Sequence, residues 1–231
     1  MPTPQSSFME HRGRINQHLS DRKRLTVGAI ADPSTLSIKP ADCDLVELRL
    51  DSLGTGENVH RFAKECPLPL LITARGSEEG GQSNWSKKER EHAYRAFLPY
   101  AALIDIELRD FEPLDSIIDD AKKLGITVIG SLHDFKATPE LAFLTEKIDP
   151  KADLHKFALM AQSPNDIRKH LDIFERLSGR ALSVMGMGPL GAAARPLMAE
   201  AGSLLNYGFL GMTPTAPNQW PVRLLKATLS I

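Results

Sequence analysis

One lysine lies in the middle of an apolar run, at a position that suggests covalent chemistry. Lys156 belongs to the run DLHKFAL (153–159), and the alternation of a strand would place it on one face with Leu154 and Ala158. In a strand covered on both faces the amine cannot reach bulk water, and burial together with neighbouring cations favours its neutral form. A neutral amine attacks a ketone to form an imine, which draws electrons from the adjacent carbon. We therefore predict that Lys156 is a nucleophile.

A histidine near the preceding apolar run is placed to move the proton that such chemistry requires. His133 comes just past the tip of the run GITVIGS (125–131), and neighbouring strands of a sheet lie about 4.8 Å apart. Imidazole changes charge near neutral pH and therefore suits general acid–base catalysis. Two alternatives stay open: His133 is an ordinary hydrogen-bonded loop residue, or Lys156 is only the ion-pair partner of Glu47 or Glu107.

Further ionisable side chains recur near the ends of apolar runs. Glu47 and Arg49 alternate in the second run, Arg75 follows the third, and Asp105 and Glu107 alternate in the fourth. Charges two residues apart on a strand that is covered on both faces point into the interior, where they need partners. A functional site would explain them. The alternatives are a Glu47–Arg49 ion pair that only fills space, and a metal site built from Asp105, Glu107 and Glu47.

A glycine-rich motif follows the seventh apolar run and matches a nucleotide-binding fingerprint. Gly186, Gly188 and Gly191 have the spacing GxGxxG. That fingerprint also needs an acidic residue further along the chain to hold a ribose hydroxyl, and no Asp or Glu follows Glu200. We therefore interpret the loop as a carrier of backbone N–H groups and of Arg195, which suit a substrate carboxylate.

Eight short apolar runs alternate with stretches of helical spacing, and these elements must position the residues above. Runs that are apolar on both faces are typical of parallel strands covered by helices. Eight repeats without a linker favour a single-domain α/β fold, the closed (β/α)8 TIM barrel, over an open doubly wound sheet. Enzymes with this fold carry function at the carboxyl ends of the strands. The runs are 25–31, 44–50, 68–74, 101–107, 125–131, 153–159, 180–186 and 203–209.

The residues before the first run differ from the rest of the chain. Residues 1–24 are polar and rich in Arg and Lys, which predicts a basic tail or short helix ahead of a catalytic domain at 25–231. No apolar run approaches the roughly 20 residues that span a bilayer, and a net charge of −1 gives no reason to expect a nucleic acid or membrane partner. Two cysteines without CxxC spacing predict free thiols in a cytoplasmic protein.

Seven pieces of the sequence together resemble the type I 3-dehydroquinate dehydratases, enzymes of the shikimate pathway in aromatic amino acid biosynthesis. The pieces are collinear and span nearly the whole predicted barrel. The resemblance implies a lyase that dehydrates 3-dehydroquinate, a small keto-acid, to 3-dehydroshikimate through a Schiff base. It implies no metal or nucleotide cofactor, and a homodimer. The pieces are VELRLD (46–51), LLITARGSEEGGQ (70–82), LIDIEL (103–108), GSLHDFKATP (130–139), DLHKFALMA (153–161), SVMGMGPLGAAAR (183–195) and GSLLNYGFLGMTPTAPNQ (202–219).

The resemblance also implies a role for particular residues. Lys156 is similar to the Schiff-base lysine, His133 to the general acid/base, and Glu79 to the carboxylate that orients and tunes this histidine. The positions that resemble substrate-binding residues are Glu47, Arg49, Arg75, Arg195, Thr215 and Gln219. Among these, Arg195 is the implied carboxylate ligand.

Four positions depart from the usual pattern of that family. In the last loop Thr215 replaces a serine, although it keeps a hydroxyl, and Asn218 replaces a glycine. Ala194 replaces a serine, and Gly28 stands where a small hydroxyl residue is common. Two other functions stay open beside the dehydratase. One is a class I aldolase, which also needs a barrel lysine and an acid/base, and the other is a non-catalytic barrel that binds sugar acids.

Overall fold

The predicted strands pair side by side into one parallel sheet. The computed structural model describes residues 4–37, 42–216 and 218–229 of the chain. The strands are β1 (Leu25–Ile30), β2 (Leu45–Arg49), β3 (Leu70–Thr73), β4 (Ala101–Glu107), β5 (Thr127–Asp134), β6 (Leu154–Met160), β7 (Leu182–Met187) and β8 (Leu205–Phe209). Their spatial order is β7-β6-β5-β4-β3-β2-β1-β8, and every pair is parallel.

The two outermost strands, β7 and β8, meet and nearly close the sheet into a barrel. The Leu204 N–H donates to the carbonyl of Leu182 at 2.9 Å, and the Ser183 hydroxyl donates to the carbonyl of Leu205. Closure satisfies backbone groups that an open sheet edge would leave unpaired. The predicted (β/α)8 barrel is therefore confirmed.

Helices cover the outside of the strands. They are α1 (Pro4–Ser20), α2 (Leu50–Leu53), α3 (Glu57–Glu65), α4 (Lys87–Phe97), α5 (Asp115–Lys123), α6 (Leu141–Glu146), α7 (Pro164–Arg176), α8 (Gly191–Ala201) and α9 (Val222–Leu229). Capping boxes begin two of them, because Ser86 with Glu89 and Ser163 with Asp166 satisfy backbone N–H groups of the first turn. The connection after β1 forms a 3₁₀ turn at Pro33–Ser37.

Strand alternation divides the barrel interior into an apolar floor and a polar mouth. The floor consists of inward apolar side chains, among them Val27, Leu45, Leu71, Leu103, Ile129, Leu154 and Leu205. Two residues further along five of these strands the inward position is polar and buried: Glu47, Thr73, Asp105, Ser131 and Lys156. Because successive side chains of a strand point to opposite faces, this change places a polar site at the carboxyl ends of the strands.

The basic N-terminal segment forms the 17-residue helix α1 against the opposite end of the barrel. Ile15 is buried among the apolar side chains of the floor. The Arg12 guanidinium donates to the carbonyls of Ala101 at 2.9 Å and Leu98 at 3.0 Å. The helix therefore covers the amino ends of β4 and β5, away from the polar mouth.

Some predicted segments lie partly outside the described residues. These are residues 1–3 of the basic segment, residues 38–41 of the connection after β1, and residues 230 and 231 of the predicted closing helix. Across the ranges that the structure does describe, no helix has both the length and the apolar character that a bilayer span requires.

Candidate active site

Lys156 points into the barrel mouth from the middle of β6. It is 4% exposed, and its Nζ lies 2.8 Å from Oδ2 of Asp105 on β4. The same nitrogen lies over the ring of Tyr207 on β8, 4.1 Å from the ring centroid. The amine is thus held between a carboxylate and an aromatic face.

The Asp105 contact corrects two sequence-based expectations. The ion-pair partner of Lys156 is neither Glu47 nor Glu107, and the neighbours of its amine include an anion where only cations were expected. Glu47 instead accepts a hydrogen bond from the Thr73 hydroxyl at 2.7 Å. Asp105 reaches the amine because it shares the inward face of β4 with Leu103. The pairing of neighbouring strands does not reveal this contact, because β5 lies between β4 and β6.

Arg75 organises the same corner of the site from the end of β3. Its guanidinium donates to Oδ1 of Asp105 and to the hydroxyl of Ser131, both at 2.7 Å. Burial alone would raise the pKa of Asp105, but Arg75 and Lys156 outweigh it and hold that pKa well below its usual range. Asp105 is therefore a carboxylate shared by two cations.

His133 lies within the last residues of β5 rather than beyond the end of that strand. The carboxylate of Glu79 is its hydrogen-bond partner. The Oε2 atom of Glu79 is 2.9 Å from His133 Nδ1 and accepts the backbone N–H of His133 at 2.9 Å. Burial raises the pKa of Glu79 to about 7, although Arg75 opposes this shift. Burial and the positive charges of Arg75 and Lys156 hold the pKa of His133 well below 6.5, so the imidazole is neutral.

The loop that carries Glu79 is fixed to the end of β2 by Asp51. This carboxylate accepts the backbone N–H groups of Arg75 at 3.2 Å and Gln82 at 3.1 Å. It also forms a bidentate ion pair with Arg49, at 2.9 and 2.7 Å, and Arg49 therefore does not pair with Glu47. Asp51 lies within the VELRLD piece, but nothing in the sequence assigned it a role.

Gly81 allows this loop to fold tightly against β3. A Cβ at this position would lie 2.2 Å from the Arg75 carbonyl oxygen. We expect Gly81→Ala to destabilise the protein by roughly 1–3 kcal/mol, because backbone rather than a flexible side chain must move. Urea denaturation measures this change. Gly13→Ala on α1 is the matched control, since no atom lies within 4 Å there and alanine favours a helix. Equal stability of the two variants would contradict the prediction.

Arg195, in α8, supplies a further buried positive charge to the barrel mouth. It is 4% exposed, its Nη1 donates to the backbone carbonyl of Tyr207 at 2.9 Å, and its Nε has no partner among the described residues. Burial lowers the pKa of Arg195 to about 10. A buried cation without a carboxylate partner is unfavourable unless an anion binds beside it.

The loop between β8 and α9 completes the mouth. The Gln219 side-chain oxygen accepts hydrogen bonds from the backbone N–H and the hydroxyl of Thr215, both at 2.8 Å. Asn218 has a φ of 54°, and its side-chain amide donates to the Gly188 carbonyl at 2.7 Å. Asparagine is one of the few residues that tolerate this left-handed backbone, which explains how it replaces a glycine here.

The other two departures from the family pattern lie away from the pocket. A Cβ at Gly28 would lie 2.5 Å from Leu210 and 2.9 Å from the Cys43 sulfur, under the helices rather than inside the barrel. The methyl group of Ala194 would lie 2.5 Å from a Cβ at Gly186. This close packing between β7 and α8 accounts for Gly186, the first glycine of the GxGxxG motif, without a role in nucleotide binding.

These side chains line one pocket at the barrel mouth, with a volume of about 510 Å³ that includes its open entrance. All nine residues singled out from the sequence line it: Glu47, Arg49, Arg75, Glu79, His133, Lys156, Arg195, Thr215 and Gln219. Tyr207 lines the pocket too, and neither this residue nor the contacts of Asp51 and Asp105 were predicted. The available signal was the strand alternation, which places Tyr207 on the same face as Leu205.

The alternative of a metal site finds no support in this geometry. In the described part of the chain, no three His, Cys, Asp or Glu side chains are grouped as metal ligands. Each carboxylate proposed as a ligand already has another partner. Asp105 binds Lys156 and Arg75, Glu47 binds Thr73, and Glu107 binds Arg90 and the Gly76 N–H.

Comparison with known proteins points to one family. The model of the type I 3-dehydroquinase family matches residues 31–231. A 3-dehydroquinate dehydratase from Methanococcus maripaludis is 34% identical over 196 residues, which cover 81% of this chain and 88% of that protein. One from Methanosarcina barkeri is 32% identical, with 96% and 99% covered. The crystal structure of the Geobacillus kaustophilus 3-dehydroquinate dehydratase superimposes with a TM-score of 0.77 at 25% identity, covering 90% of each chain. The chain therefore belongs to the type I 3-dehydroquinase family.

Proposed function

We propose that this protein is a 3-dehydroquinate dehydratase, a hydro-lyase that converts 3-dehydroquinate to 3-dehydroshikimate through an imine on Lys156. The observation that carries the proposal is the convergence, in one pocket, of a buried lysine, a His–Glu pair and a buried arginine whose Nε has no partner among the described residues. The first two suit imine chemistry and proton transfer, and the arginine suits the substrate carboxylate. The dehydratase names of the relatives support the same substrate.

Arg195 and the mouth loop would bind the substrate first. A carboxylate beside Arg195 compensates a buried charge whose partner, within the described part of the chain, is a backbone carbonyl. Thr215 and Gln219 lie at the same mouth and offer hydroxyl and amide groups to the ring. Glu47 and Arg49 face the pocket from β2 and would bind ring hydroxyls.

Lys156 would then react with the ketone. Only the neutral amine attacks, so the proton shared with Asp105 must leave before the carbon–nitrogen bond forms. Nζ adds to the carbonyl carbon, and the ketone oxygen departs as water to give an iminium ion. Asp105 is a carboxylate beside this nitrogen, so it stabilises the positive charge of the iminium.

His133 would perform the two proton transfers of the elimination. Because Nδ1–H donates to Glu79, the lone pair lies on Nε2, which removes a proton from the carbon next to the iminium. The resulting enamine expels the hydroxyl from the following carbon, and His133 returns the proton so that water leaves. Addition of water to the iminium then releases the product and restores Lys156. The net change is the loss of one water from the substrate.

The Glu79–His133 pair predicts the pH dependence of the reaction. Above pH 7 Glu79 is ionised and accepts Nδ1–H, so Nε2 is a base; a protonated Glu79 can donate to Nδ1 instead, which leaves the proton on Nε2. We therefore expect kcat/KM to rise as the pH increases through about 7, the raised pKa of Glu79. Glu79→Gln should remove this rise and lower kcat/KM roughly tenfold or more.

The neighbouring residue Glu78 provides the control for that pH profile. Its carboxylate is exposed and pairs with Arg109 at the surface, so Glu78→Gln should leave the profile unchanged. A wild-type rise that persists in Glu79→Gln would assign the titration to another group.

Product analysis tests the proposed activity directly. Dehydration places a carbon–carbon double bond in conjugation with the ketone, so incubation with 3-dehydroquinate should produce ultraviolet absorbance. A class I aldolase would instead cleave a carbon–carbon bond and release a smaller fragment, and a binding protein would return the substrate unchanged. Mass spectrometry of the products distinguishes these outcomes, and either of the last two would overturn the proposal.

We also infer a cytoplasmic location and, from the family resemblance, a homodimer. The two cysteines, Cys43 and Cys66, are buried free thiols, as expected in a reducing compartment. Size-exclusion chromatography with light scattering measures the oligomeric state, and a monomeric mass would contradict the dimer.

A further inference from the structure

Tyr207 is the aromatic wall of the pocket beside Lys156. It comes from the middle of β8, where its Cα pairs with that of Val27 on β1. The residue is 4% exposed, and its ring face lies against the lysine nitrogen, 4.1 Å from Nζ to the centroid. Nothing in the sequence predicted a role for this side chain, and none of the proposed reaction steps uses it.

The hydroxyl of Tyr207 is buried and has no hydrogen-bond partner among the described residues. Tyr94, the other fully buried tyrosine, behaves differently. Its hydroxyl accepts the Ala74 N–H at 3.1 Å and donates to the Asp105 carbonyl. An unpaired buried hydroxyl destabilises a folded protein. Since Tyr207 lines the pocket, a bound ligand is the partner that this hydroxyl can gain.

The phenol lies among the charges of the polar mouth. The charged groups that act on it are Glu47, Asp105 and Arg75, on β2, β4 and the end of β3, and burial keeps its pKa well above 10. It therefore remains protonated at neutral pH and is able to donate a hydrogen bond. Arg195, which suits the substrate carboxylate, contacts only the backbone carbonyl of Tyr207.

We propose that Tyr207 is a further substrate-binding residue, whose phenol donates a hydrogen bond to a ring hydroxyl of the substrate while its ring face contacts the nitrogen of Lys156. The ketone of the substrate is consumed by Lys156, and the carboxylate has Arg195. The hydroxyl groups of the ring are the remaining polar atoms, and Glu47, whose charge acts on the phenol, lines the same pocket. This inference rests on the proposed function, because it requires a hydroxylated cyclic keto-acid.

Two ligands and two variants test the assignment. In a Lys156→Ala background, which binds without reacting, calorimetry compares 3-dehydroquinate with 3-oxocyclohexanecarboxylate, a cyclic keto-acid without ring hydroxyls. We expect Tyr207→Phe to weaken binding of 3-dehydroquinate about tenfold and to leave the hydroxyl-free ligand unchanged. Tyr100→Phe, at a partly buried position outside the pocket, should change neither dissociation constant.

Two further measurements separate binding from a structural effect. With Lys156 intact, Tyr207→Phe should raise KM for 3-dehydroquinate about tenfold while kcat changes less than about threefold. The melting temperature of the ligand-free variant should rise, because the variant no longer buries an unpaired hydroxyl. A purely structural tyrosine would not combine a higher melting temperature with weaker binding.

Each contrary result has a distinct meaning. Equal weakening of both ligands would overturn the hydroxyl assignment in favour of the carboxylate or ketone, and unchanged binding of 3-dehydroquinate would overturn any binding role for the phenol. Failure of the wild-type protein to convert 3-dehydroquinate would overturn the proposed function and this inference with it. Normal turnover with an unaffected Tyr207→Phe variant would overturn this inference alone.

Discussion

Replacing Lys156 by alanine should abolish both turnover and covalent capture of the substrate. Sodium borohydride reduces an iminium ion to a stable amine, so wild-type protein treated with 3-dehydroquinate and borohydride should gain, on the peptide that contains Lys156, the mass of one ligand less the oxygen lost as water in imine formation and replaced by hydrogen. The variant should gain none. We expect kcat to fall by at least about 10⁴-fold, since Lys156 is the one lysine among the described residues that line the pocket and the covalent route is lost with it. Peptide mass spectrometry and the ultraviolet assay measure the two effects.

Lys151 provides a matched lysine for this experiment. It lies five residues earlier and pairs with Asp115 on the surface, where an ion pair contributes little to stability. Lys151→Ala should therefore keep both the adduct and the rate. An adduct on a lysine other than Lys156, or full turnover without any adduct, would contradict an imine mechanism at this position.

Asp105 determines how Lys156 can act. Its Oδ2 atom lies 2.8 Å from the nitrogen that bonds to the substrate. Asp105 itself is held as an anion by Arg75. We infer that this fixed negative charge stabilises the cationic iminium that forms on the nitrogen of Lys156.

Much of the fold and the membership of the site followed from the sequence. A strand has a side-chain period of two, so a charge inside an apolar run is assigned to a face without knowledge of the partner strands. Lys156, Glu47 and Arg49 were placed in the barrel mouth on this basis. Arg195 was assigned instead from the glycine-rich loop after the seventh run, and Glu79, which lies outside the strands, from the family resemblance alone.

The partners of the side chains in the barrel mouth could not be predicted in the same way. The Nζ of Lys156 meets Asp105 from β4, and Arg49 turns to Asp51 rather than to Glu47. Such contacts depend on the tilt of the strands and the rotamers of long side chains, which a one-dimensional pattern does not contain. Tyr207 was missed for a related reason, since a tyrosine in an apolar run is equally consistent with a core residue.

Removing the imidazole of His133 should stop proton transfer but leave the covalent step intact. We expect His133→Ala to lower kcat by roughly 10²–10⁴-fold, the range for a general acid–base residue, which corresponds to about 3–5 kcal/mol of transition-state free energy. Borohydride should still trap an adduct on Lys156, because imine formation does not require a base at the adjacent carbon. Steady-state kinetics and peptide mass spectrometry together measure the separation of the two steps.

A fall in kcat with the Lys156 adduct retained distinguishes a proton-transfer role for His133 from a structural one. His133 receives two contacts from Glu79, one of them through its backbone N–H, and that backbone contact survives the substitution. The lysine should therefore stay in place, and loss of the adduct would indicate a collapsed pocket rather than a missing base. His92→Ala, on the exposed face of α4, controls for the loss of an imidazole elsewhere. A near-normal kcat in His133→Ala would mean that another group transfers the proton. Glu79, which contacts His133, would then be the first candidate.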